Sequence, residues 1–78
     1  MEEIEVTARY DENGRPVPSI FLWNSQSFLV DSLGRRWEDE AGQHLLVLVP
    51  GGQTFELLLA SEDGHWYLKP VGNNHLWA

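Results

Sequence analysis

The chain of 78 residues contains no cysteine, which excludes disulfide staples, thiolate-bound zinc and thiol catalysis together. Basic residues are scarce: five Lys and Arg against twelve Asp and Glu leave a formal net charge of −7. Such a balance works against adherence to a phosphate backbone, where affinity rests on neutralisation by Lys and Arg. No run approaches the roughly 18 apolar residues of a membrane-spanning helix. The opening Met-Glu-Glu-Ile-Glu is acidic where a secretion signal is basic and then apolar, so a soluble cytoplasmic protein is expected, without membrane contact. No window repeats apolar residues at i, i+3, i+4 and i+7, so no helix of consequence is expected. Apolar material is what the chain has in quantity. At 42% hydrophobic with four tryptophans, it can build a packed core and is not a disordered composition.

Turn-forming clusters come at short intervals: Asp11-Glu12-Asn13-Gly14, Asn24-Ser25-Gln26, Gly34, Glu40-Ala41-Gly42, Pro50-Gly51-Gly52 and Glu62-Asp63-Gly64. Between them lie runs of about 5–9 residues rich in β-branched, aromatic and aliphatic side chains, the spacing of an antiparallel meander. Over residues 3–10 the chain alternates, with Ile4, Val6, Ala8 and Tyr10 on one face and Glu3, Glu5, Thr7 and Arg9 on the other. Further strands are expected over residues 19–23, 27–33, 44–49, 54–60 and 65–69. Gly34 marks a bulge or bend. Phe55, Leu57 and Leu59 form one inward face, Trp66 and Leu68 another, and Trp37 is also expected to be buried. Five to seven short strands in one domain spanning residues 1–71, followed by a tail over 72–78, predict an all-β fold. The form expected is a single small antiparallel barrel or roll of SH3-like size, whose curl removes exposed edges.

The pattern Pro18-x-x-Phe21-x-Trp23, Phe28-x-Val30, Arg36-Trp37, Phe55-Glu56-Leu57 and Gly64-His65-Trp66-Tyr67-Leu68 resembles an uncharacterised bacterial small β-domain family. Its members stand alone or are appended to proteins resembling Y-family DNA polymerases. The resemblance covers most of the chain and implies a fold, together with a possible place beside DNA. Between Trp23 and Phe28 this chain has the neutral Asn-Ser-Gln-Ser, where the family carries a glycine with a basic residue.

Catalytic groups are thinly supplied. His44, His65 and His75 fall in no metal-ligand spacing and read as surface histidines. The carboxylates at 38–40 and 62–63 read as turn chemistry, although His65 with Glu62 and Asp63 is the one grouping a metal-dependent hydrolase could use. There is no nucleophile elbow and no phosphate-binding glycine loop. The expectation is a non-catalytic module without cofactor or metal. Arg35 and Arg36 beside Trp37 are the sole basic pair, and an accessory nucleic-acid-binding module is the alternative they leave open.

The aromatic and aliphatic surplus points elsewhere. Residues 19–23 and 44–49 are apolar on both faces, yet a small barrel has one interior, so one face of each must look outward. Either Leu46 and Leu48 point inward, or Leu45, Val47 and Val49 do. Phe21, Trp23, Leu45, Val47, Val49 and Trp77 are the candidate partner-binding residues. The partner is a protein or a second copy, a homodimer being preferred over a tail that lays Leu76 and Trp77 across strand 44–49.

Overall fold

In the computed structural model, residues 1–73 are described, and they form seven β-strands without a helix. The strands are β1 Glu2–Tyr10, β2 Pro16–Trp23, β3 Gln26–Leu29, β4 Ser32–Asp39, β5 Gly42–Leu48, β6 Gln53–Ala60 and β7 Trp66–Asn73. All pairings are antiparallel, in the order β3-β2-β1-β7-β6-β5-β4. The sheet curls into a half-barrel, the all-β fold expected. Strand β7 runs past Val71 to Asn73, which pairs with Gln53.

Local chemistry sets each reversal. Asp11 Oδ1 accepts from the amides of Asn13 and Arg15, both at 2.9 Å. Asn24 and Ser25 both have positive φ, at 52° and 61°, the two-residue turn whose twist matches that of paired strands. Asp39 Oδ1 receives the Ala41 amide and Asp63 Oδ1 the His65 amide, each at 2.9 Å.

The bend expected at Gly34 is divided between two places. The strand predicted over 27–33 breaks at Val30 and Asp31 into β3 and β4, and the β4–β5 register slips between Leu33 and Arg36. At the break, Val30 N donates to Ser19 O on β2 and Asp31 N donates to Leu48 O on β5. Consecutive amides thus tie β2 and β5, each next to an edge of the curled sheet, through a single stretch of chain.

The concave side is the core. Leu45, Leu57 and Leu68 occupy one rung across β5, β6 and β7, and Val47 pairs with Phe55 on the next. All five are 0–1% exposed. Phe55 reaches across to the other meander, its ring 5.2 Å from Phe21, 5.3 Å from Trp23 and 5.6 Å from Phe28 between centroids. Edge-to-face packing of this kind adds to the area it buries. Leu59, Trp66 and Trp37 are only half-buried, and Tyr10 is exposed beyond the core's end.

Candidate interaction surface

The face of strand β5 left open by its composition is settled by the curl. Leu45, Val47 and Val49 are 1%, 0% and 3% exposed and pack with Phe21 in the concave core. They therefore offer nothing to a partner. The expectation erred because Leu46 and Leu48 on the opposite face are equally apolar, so alternation carried no sign. Phe21 is likewise interior, stacked on Phe28 at 5.2 Å. Trp23 is half-buried against that core and donates its indole N–H to Glu2 Oε1 at 3.2 Å. Trp77 lies outside the described residues, as does the expected tail contact.

The convex side carries a polar knot at its β4 end. His44, read from sequence as a surface histidine, is 9% exposed. Its Nδ1 lies 2.8 Å from Glu56 Oε2 and its Nε2 lies 2.9 Å from Asp39 Oδ1. Trp37 stacks on the ring, and the Arg35 guanidinium lies over the indole, 5.4 Å from its centroid. Burial alone lowers the basicity of His44, but the hydrogen bonds to Glu56 and Asp39 and their charges outweigh it and raise its pKa. The hydrogen bond from His44 is also the main cause that holds the Asp39 carboxyl below its ordinary value. This cluster joins β4, β5 and β6 and leaves neither ring nitrogen free for chemistry.

The remaining sequence candidates separate in space. Arg35 is engaged with Trp37, whereas Arg36 is half-buried, its pKa lowered by burial and by nearby Arg15. They do not form a two-residue basic platform. His65 Nδ1 meets Glu3 Oε2 at 2.9 Å and only approaches Asp63 Oδ2, at 3.9 Å. Asp63 is committed to the His65 amide and the Tyr67 hydroxyl, which lower its pKa in that order. Among the described residues, no group of three His, Asp or Glu converges as a metal site.

An apolar surface lies elsewhere among the described residues. Ile20, Leu22 and Leu29 are 36%, 42% and 63% exposed on the outer face of the β2–β3 hairpin. Ile20 stands opposite Leu29, with Thr7 on its other side, and Leu22 stands between Glu5 and Ser27. The sequence held a signal for it. Residues 16–30 contain no Asp, Glu, Lys, Arg or His, in a chain that is 22% charged. No protein-family model, no curated protein and no solved structure matches this chain.

Proposed function

We propose that the domain is a non-catalytic interaction module that engages a protein through the outer face of the β2–β3 hairpin. The observation that carries this reading is the coincidence of neutrality and exposure. The 15 residues of 16–30 lack charge, and three large aliphatic side chains there face solvent in a protein of net charge −7. Scattered surface leucines need no explanation, but aliphatic side chains adjoining on paired strands of an uncharged hairpin make a contiguous patch. The aromatic residues just beneath, Phe21 and Phe28, stack on each other and give that patch a rigid floor.

The test is selection of peptides from a displayed random library on the immobilised domain, with Leu22→Asp/Leu29→Asp protein as the counter-target. Peptides that bind the parent and lose binding to the variant are expected. The variant should keep its thermal unfolding midpoint within a few degrees, since both side chains are substantially exposed. Peptides that bind parent and variant equally would move the binding surface elsewhere.

A further inference from the structure

The backbone of β3 adds a second feature to this surface. Asn24 and Ser25 form a two-residue turn, so Trp23 and Gln26 are a hydrogen-bonded pair, and alternation along β3 follows from it. Phe28 and Val30 aim their amides at β2, as the bond from Val30 N to Ser19 O shows. Ser27 and Leu29 aim theirs away. Asp31, next in that outward series, donates to Leu48 O of β5, but no strand pairs with Ser27 or Leu29 on this side among the described residues.

Edge strands are usually blunted by charge, proline or irregularity. Strand β4, the other edge, carries Arg35, Arg36, Glu38 and Asp39 and a register slip. Strand β3 has none of these devices: its sequence is Gln26-Ser27-Phe28-Leu29.

We propose that the occupant of the hairpin surface is a second copy of this chain. It is added to β3 by antiparallel pairing about a two-fold axis, with Ser27 opposite the partner's Leu29. The inference rests on the interaction-module reading above and specifies its partner. The argument from charge is direct. Two copies at −7 repel over most of their surface, and the uncharged hairpin is where they can meet without opposing like charges. A two-fold contact also requires a self-complementary patch. Here outward amides and carbonyls of Ser27 and Leu29 exchange with those of the same residues in the partner. The pairing sets Leu29 opposite the partner's Ser27 and diagonal to the partner's Leu29, with Leu22 one strand behind Ser27 on each side, so the two apolar faces become one across the axis.

Sedimentation equilibrium on the full chain at tens to hundreds of micromolar tests this. A two-chain mass is expected, with self-association weakened about tenfold or more by Leu29→Lys, which charges the edge. Glu12→Lys, in the distant β1–β2 turn, should leave association unchanged. Amide exchange gives a second reading that needs no variant. Ser27 and Leu29 should be protected at high protein concentration and exchange rapidly on dilution. A parent protein that stays monomeric throughout overturns the inference. So does a dimer indifferent to Leu29→Lys, or one in which these two amides remain unprotected. If the parent is monomeric while selected peptides still depend on Leu22 and Leu29, the interaction-module reading survives and only the choice of partner falls.

Discussion

The indole of Trp37 lies flat on the imidazole of His44, ring centroids 4.9 Å apart and planes within 6°. With Asp39 and Glu56 on its two nitrogens, this ring is held on three sides. A neutral imidazole can donate from only one nitrogen, whereas the protonated ring donates from both. The arrangement is therefore built for the cation, which also gains from the aromatic face.

Stability should consequently fall as pH rises above the ordinary histidine range. The folded pKa of His44 is raised above its unfolded value. Its contribution is therefore fully present below the unfolded value and is lost as pH rises through the folded one. Asp39, whose pKa is lowered, contributes above its ordinary value and loses that contribution as pH falls through the folded one. Urea unfolding across about pH 3 to 9 should show a plateau bounded on both sides by these titrations. His44→Gln should flatten the alkaline decline. An equally steep decline in the variant would assign it to other groups.

Thr54 is fully buried on β6, and its hydroxyl has no hydrogen-bond partner among the described residues. An unsatisfied buried hydroxyl costs about 1–3 kcal/mol. Thr54→Val keeps the shape and removes the polar atom, so it should leave stability unchanged or raise it by about 1 kcal/mol. Chemical denaturation measures this directly, and a loss of more than about 1 kcal/mol would mean the hydroxyl is satisfied.

Gly42 begins β5 with φ at 143°, and a Cβ there would run into the Leu59 carbonyl oxygen and crowd the Ser61 nitrogen. Both obstacles are backbone atoms of the neighbouring strand end and cannot swing aside. Gly42→Ala should lower the thermal midpoint sharply, by a cost on the order of 1–3 kcal/mol or more. Gly14→Ala is the matched control. Its φ is also positive, at 76°, but its Cβ would meet open space, so the smaller loss separates strain from collision.

Oligonucleotides should not be retained. Arg35 lies over Trp37, Arg36 is half-buried, and the net charge is −7. At about 150 mM salt neither single- nor double-stranded probes should shift in a polarisation assay at micromolar protein. Micromolar binding that weakens as salt is added would restore the nucleic-acid alternative.

Strand existence and the all-β class were legible because turn clusters and alternation are local signals, clear at 11–14 and 62–64. Which face of β5 is interior was not. Leu46 and Leu58, on the convex side, are 8% and 9% exposed, and no periodicity distinguishes them from Leu45 and Leu57. The burial of His44 was hidden for a related reason: its partners Asp39 and Glu56 come from β4 and β6, and only the register brings them together. The hairpin surface was discernible, but through missing charge rather than through the count of apolar residues. Counting apolar side chains singled out Phe21 and Trp23, when the exposed members were Ile20 and Leu22, which alternate with them.

Pairing between β1 and β7 differs from the rest of the sheet. Each other ladder joins strands consecutive in sequence, whereas Glu2, Glu3 and Ile4 pair with Leu68, Tyr67 and Trp66 from the far end of the chain. Local ladders form on the timescale of hairpins, but this one must close a loop of nearly the whole polypeptide. The topology thereby divides the sheet into two meanders of local pairings, β1 to β3 and β4 to β7. The late step expected from this topology is their clasping together at the chain ends, with Val30 and Asp31 as the pivot. Local opening should follow the same line in reverse: the three-rung β1–β7 seam is the ladder expected to part first, withdrawing Phe55 from between Phe21, Trp23 and Phe28.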